Sequence, residues 1–203
     1  MNLISGYYQG EDPFGIFDKV TTTVYPSDIK KGSVLILWGG EDISPSLYNQ
    51  QVTHARASNT PSKRDIVESN LFKAAVARGV PIIGICRGAQ LACALSGGTL
   101  FQHIQGGHHS SHMVETMDGH HLLSSSCHHQ ALNVQNTKHE LLAWDHQGKT
   151  KVYTDKDELE TTIPEVVYFP ETKAFAIQGH PEWMSPTSSF VKWCAKNIKE
   201  RFF

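Results

Sequence analysis

A chain of 203 residues, 39% hydrophobic and 19% charged, can bury one substantial core but hardly two, and its composition is not that of a disordered protein. A formal net charge of -2, with Lys and Arg scattered and no aromatic–basic interleaving, gives no pull towards nucleic acid or anionic lipid. No apolar run nears bilayer-spanning length, and Met1-Asn2-Leu3-Ile4-Ser5-Gly6 lacks the pattern of a signal peptide, so one cytoplasmic domain over residues 1–203, without a membrane partner, is expected.

In chain order, Ser33-Val34-Leu35-Ile36-Leu37-Trp38 is apolar on both faces, as a central parallel strand should be, and it ends at Gly39-Gly40. Residues 64–78 follow with a helical period that turns Ile66, Val67, Leu71, Ala74 and Ala75 inward; Gly79 caps this helix and Pro81 prevents its continuation. Residues 80–85 read as a second buried strand, running straight into an Ala- and Leu-rich helix over 87–95 that Gly97-Gly98 ends. Residues 101–143 are rich in His and Ser and suggest short strands and loops at one edge. Residues 155–160 suggest a solvated turn or short helix. Two strands, 166–169 and 174–178, flank a Pro170-Glu171-Thr172-Lys173 turn, and an amphipathic helix over 188–201 buries Phe190, Val191, Cys194 and Ile198. Strands alternating with helices make the fold class α/β, layered around a sheet.

Three segments at strand ends carry the chemistry. Gly84-Ile85-Cys86-Arg87-Gly88 is a nucleophile elbow with Cys in the nucleophile position. The tight strand-to-helix turn tolerates only small residues two before and two after the sulfur, and the helix N-terminus behind it favours a thiolate. In Gln178-Gly179-His180-Pro181-Glu182, Pro181 blocks a helix and extends the backbone, so His180 and Glu182 project on the same side, as a base and its orienting carboxylate do. At Trp38-Gly39-Gly40-Glu41-Asp42 the paired glycines let backbone N–H groups approach a ligand, one half of an oxyanion hole whose other half is the N–H of Arg87. Ligand sites of open α/β sheets form at such strand ends.

These residues resemble class I glutamine amidotransferases, and most closely the γ-glutamyl-γ-aminobutyrate hydrolase branch. The likeness extends to Gly39-Gly40-Glu41-Asp42-Ile43-Ser44-Pro45-Ser46-Leu47-Tyr48, to Arg64-Asp65 with Glu68, to Gly97-Gly98-Thr99-Leu100 with Gln102, and to Ser126-Cys127-His128-His129-Gln130. It is collinear from about residue 34 to residue 183. The resemblance implies a three-layer αβα sandwich around a mostly parallel, flavodoxin-like sheet. It implies Cys86 as nucleophile, His180 as base and Glu182 as acid, with the backbone of Gly40 and Arg87 as oxyanion donors. Gln90, His128, His129 and Gln130 match positions that hold the glutamyl head. The expected substrate is a small γ-glutamyl amide, cleaved without a cofactor. A separate synthetase receiving ammonia, or a second copy of the chain in a homodimer, are the candidate protein partners. Trp38 stands where the family carries Pro, and Gly179 where it carries a bulky residue.

Eight of the twelve histidines lie between His103 and His129, and His108, His109 and His112 are zinc-ligand types. No helical HxxxH frame holds them, so no metal is expected. Cys93, Cys127 and Cys194 are expected as reduced, mostly buried thiols.

Overall fold

The structure is a computed structural model describing every residue from Met1 to Phe203. Its elements follow in the order β1 (Asn2–Gly6), β2 (Lys19–Thr23), β3 (Ser33–Leu37), α1 (Lys63–Arg78), β4 (Ile82–Ile85), α2 (Arg87–Leu95), β5 (Thr99–Phe101), β6 (His103–Ile104), β7 (His112–Thr116), β8 (His121–Ser124), β9 (Ala131–Asn133), β10 (Glu140–Tyr153), β11 (Glu158–Phe169), β12 (Ala174–Ile177) and α3 (Ser189–Phe202).

The main sheet runs β2-β1-β3-β4-β12-β11-β10-β7-β8, with β6 also paired to β10, while β5 and β9 form a separate ribbon. From β2 to β12 every pairing is parallel, and from β12 onward every pairing is antiparallel. The parallel half is the part with apolar residues on both faces. Leu35 and Leu37 pack with Leu71, Phe72 and Ala75 of α1 and with Ala89, Leu91 and Ala92 of α2. Val34 and Ile36 point the other way and pack with Phe190, Val191, Cys194 and Ile198 of α3. This period-two split makes the three-layer αβα sandwich.

α1 begins at a capping box between Ser62 and Asp65 and ends at Gly79 in the left-handed region. Its inward face differs from the one its apolar spacing suggests. Ile66 is 53% exposed, whereas Arg64, Asp65 and Glu68 are buried. Asp65 and Glu68 face inward to pair with Arg87 of α2, and Glu68 also pairs with Arg64. Residues 155–160 contain no helix; Glu158–Glu160 already belong to β11, which pairs antiparallel with β10. No helix is long and apolar enough to cross a membrane.

Candidate active site

Cys86 joins β4 to α2 with φ 49° and ψ -104°, a backbone that L-residues adopt only under constraint. Its N–H donates to Ile177 O at 2.7 Å, and its carbonyl accepts from Gln90 N at 3.0 Å. The flanking glycines are a steric requirement: a Cβ on Gly84 would lie 2.4 Å from Gly88 O, and one on Gly88 would lie 2.2 Å from Leu37 O. The elbow read from the sequence is present, wedged against β3 and β12.

β12 delivers the next element. Beyond it, His180 N donates to Ser125 O at 2.8 Å, and the His180 ring lies 2.7 Å through Nδ1 from Glu182 Oε1. A carboxylate only accepts, so the proton of a neutral imidazole sits on Nδ1 and Nε2 is left as the basic nitrogen. Trp183, itself 60% exposed, stacks on the imidazole at 3.6 Å with its plane 1° away. Gly179 is small because a Cβ there would lie 2.2 Å from Ser124 Oγ.

The Gly39-Gly40 turn closes over Cys86: a Cβ on Gly39 would meet His180 at 2.7 Å and the Cys86 Cβ at 3.5 Å. Gly40 has φ 149°, a conformation that favours glycine. Arg64 holds the turn by donating from Nη2 to Trp38 O at 2.9 Å and to Gly39 O at 3.0 Å. Its Nε donates to Glu68 at 2.9 Å, and Glu68 in turn accepts from Arg87. A buried four-charge network therefore ties the glycine turn to the residue that follows the nucleophile. The sequence signal for it was the Arg64-Asp65 pair with Glu68, whose burial no periodicity shows.

Cys86 is only 5% exposed, yet it lines two clefts. One, of about 270 Å³, is polar and includes Gly40, Glu41, Asp42, Arg56, Gln90, His129 and Gln130. The other, of about 410 Å³, includes Trp38, His180, Glu182 and Trp183. Burial pushes the Cys86 thiol up to about 12; the Arg87 N–H bonded to the sulfur pulls it down, and the charge of Glu182 pushes it further up. The helix N-terminus that the sequence suggested as a thiolate stabiliser is thus outweighed by desolvation.

Gln90, His129 and Gln130 lie at the polar cleft as expected, with His129 Nε2 2.9 Å from Asp42. His128 also lines it, its buried ring placed with Nδ1 2.8 Å from Gln130 O and Nε2 3.7 Å from Glu165. Cys127 is exposed beside Cys86 rather than buried, because the segment before β9 forms the cleft wall; Cys93 and Cys194 are buried. Asp42, part of the glycine-turn motif, lies at the cleft; Arg56 was not singled out by sequence, because it is a loop residue that no periodicity marks.

A layered α/β sheet with a cysteine elbow and a cleft at its strand ends is the architecture of class I glutamine amidotransferase-like proteins. Solved structures share the fold over nearly the whole chain. A putative GMP synthase protein from Thermoplasma acidophilum superposes with a TM-score of 0.63 at 16% identity, over 99% of this chain and 94% of that one. A glutamine amidotransferase from Thermotoga maritima gives 0.58 at 11%, over 99% and 95%. The chain belongs to the Peptidase C26 family, whose model matches residues 22–182. Among relatives, the protein NtpR of Enterococcus hirae is 28% identical over 191 residues, covering 83% of this chain and 73% of that protein. A putative glutamine amidotransferase-like protein of Lactococcus lactis is 31% identical over 170 residues, covering 78% and 69%. A more local match, 40% over 70 residues to a putative glutamine amidotransferase of Mycobacterium tuberculosis, spans 34% of this chain and 22% of that protein.

Proposed function

We propose that this protein hydrolyses a γ-glutamyl amide through a γ-glutamyl thioester on Cys86, with His180 as base and acid and Glu182 orienting it. The observation that carries this reading is that Cys86 sits at the junction of two clefts, one polar and one holding the His180–Glu182 pair. The polar cleft presents Asp42 and Glu41 near Arg56, both signs of charge, as the ammonium and carboxylate of a glutamyl head require. The amine side lies between Trp38 and Trp183, beside the imidazole that protonates the leaving nitrogen.

In the reaction, His180 Nε2 takes the Cys86 proton as the sulfur attacks the γ-carbonyl, which suits a thiol that rests protonated. The Gly40 and Arg87 N–H groups receive the oxyanion, each lowering the barrier by about 3–4 kcal/mol. The imidazolium returns its proton to the departing nitrogen, which leaves as ammonia or an amine. Water, deprotonated by His180, then attacks the thioester, releasing glutamate and restoring the thiol.

Assaying glutamate release from glutamine and from a panel of γ-glutamyl amines tests this. The wild type should turn over at least one of them, and Cys86→Ala none; turnover by Cys86→Ala refutes the nucleophile. Glutamine hydrolysis seen only when a separate synthetase is added would assign the chain as the glutaminase half of a two-protein enzyme instead.

A further inference from the structure

Behind the polar cleft, in the antiparallel half of the sheet, metal-ligand side chains converge from four places in the chain. His108 comes from the β6–β7 connection, His112 from the start of β7, His128 from the segment before β9 and Glu165 from β11; ligand atoms of His108, His128 and Glu165 lie within 4.8 Å of one another, as do those of His108, His112 and Asp145. Three imidazole nitrogens surround Oε1 of Glu165: His108 Nδ1 at 3.0 Å, His112 Nε2 at 3.2 Å and His128 Nε2 at 3.7 Å. The side chains of His112, His128 and Glu165 are only 6%, 1% and 1% exposed. Even so, both ring nitrogens of His112, Nε2 of His128 and Oε2 of Glu165 have no hydrogen-bond partner. Orphaned buried polar atoms are rare because each costs about 1–3 kcal/mol.

Proton placement deepens the problem. Nδ1 of His128 lies 2.8 Å from the Gln130 carbonyl oxygen, which can only accept, so the proton is on Nδ1 and Nε2 carries a lone pair. The Nε2 lone pair faces the buried Glu165 carboxyl group at 3.7 Å, a gap that a cation bound between them would satisfy. His108 is oriented in the same way from its far side, with Nε2 3.2 Å from Asp145, whose other oxygen accepts from Gln147 N at 2.9 Å.

We propose that His108 Nδ1, His112 Nε2, His128 Nε2 and the Glu165 carboxylate bind one zinc-type divalent cation, with Asp145 and the Gln130 carbonyl orienting two of the imidazoles. Ligand atoms around tetrahedral zinc, with bonds of about 2.0–2.1 Å, lie about 3.3–3.4 Å apart. The three contacts to Glu165 bracket that spacing. A carboxylate or carbonyl on the far nitrogen of a ligating histidine is the usual outer partner. Four protein ligands close the shell, so the ion is structural and takes no part in amide cleavage. It fastens to β11 both the 108–112 connection and the segment carrying His129 and Gln130 into the cleft. β11 also holds the approach to His180, since Glu165 O accepts from Gln178 N at 2.8 Å. The helical frame missing from the sequence is supplied here by neighbouring strands.

The test needs no substrate, so its outcome is independent of the proposed reaction. Untagged protein is purified without added metal and assayed by plasma mass spectrometry, then stripped with a chelator and titrated with zinc while circular dichroism follows the fold. One equivalent per chain is expected. His112→Ala and Glu165→Gln should lose it, and Asp145→Asn should keep the stoichiometry with affinity about 10–100-fold weaker. His121→Ala, in the more exposed Glu115–His121–His146 group, should change nothing. Cobalt(II) added to stripped wild type should give the intense visible bands of a four-coordinate site, which keeps the test decisive if a variant fails to fold. No zinc uptake by folded, stripped wild type at micromolar free zinc overturns the proposal, as does a full equivalent retained by both His112→Ala and Glu165→Gln.

Discussion

Glu68→Gln removes one negative charge from a cluster of two arginines and two carboxylates whose side chains are at most 2% exposed. Glu68 accepts from Arg64 Nε at 2.9 Å and from Arg87 Nη1, and Asp65 pairs with Arg87 Nη2, so the cluster is formally neutral. Gln keeps the shape but leaves one guanidinium charge uncompensated inside the protein. Breaking a buried pair on one side costs about 3–5 kcal/mol. For a chain of this size each kcal/mol lowers Tm by about 2–4 °C, so melting should fall by about 6–20 °C. Turnover should fall as well, because the same arginine that Glu68 steadies holds the Trp38 and Gly39 carbonyls and thereby aims the Gly40 N–H. A double variant, Arg64→Met with Glu68→Leu, separates the two effects. It removes opposite charges together and should recover part of the melting temperature, while activity stays low with the turn untethered. Thermal melts by circular dichroism and initial rates on the best substrate read both. A Glu68→Gln protein melting within about 2 °C of wild type, less than about 1 kcal/mol, would refute the reasoning.

Two further outcomes follow from burial and stacking. Burial pushes the thiols of Cys86 and Cys93 up to about 12 and raises that of Cys194 as well. The folded chain then keeps protons that the unfolded chain sheds above about pH 8.5, so stability is intact below that pH and falls as pH rises, by about 1.4 kcal/mol per unit for each thiol. Urea melts across the alkaline range should show this decline, Cys194→Ala should make it shallower, and a flat profile would contradict it. Trp183→Ala strips the stacked ring from His180 and should lower turnover about 2–10-fold, from about 0.5–1.5 kcal/mol of aromatic contact, with Trp183→Phe restoring most of it. Because Trp183 is 60% exposed, melting should barely move; a large melting shift would mean that the ring is structural.

Strands β3, β4 and β12 and their helices were legible because all three are apolar on both faces and each is followed by a recognisable stop or elbow; β1, with only Leu3 and Ile4 apolar between Asn2 and Ser5, was not read as a strand. β2 was not, since an edge strand with mostly exposed Lys19–Thr23 buries too little to leave a pattern. β10 was hidden for a different reason. Its register slips at Leu141/Ala143 and again before Lys149, so its alternation changes phase along its length. At the site, the elbow, the His180–Glu182 pair and the glycine turn could be read because each is local in sequence. The inward charges of α1 and the orientation of the His128 ring towards Glu165 could not. Both are set by partners far along the chain, Arg87 for the former and Glu165 for the latter.

The central claim is that the Cys86 sulfur becomes acylated. Wild-type protein and a His180→Ala variant, mixed with a cleavable γ-glutamyl amide and quenched in acid within a turnover, can be weighed intact and then mapped by proteolysis. One γ-glutamyl adduct is expected, located on the peptide bearing Cys86, absent from Cys86→Ala and formed only slowly without His180. An adduct on the neighbouring Cys127, or steady turnover by a chain that never carries one on Cys86, would contradict it.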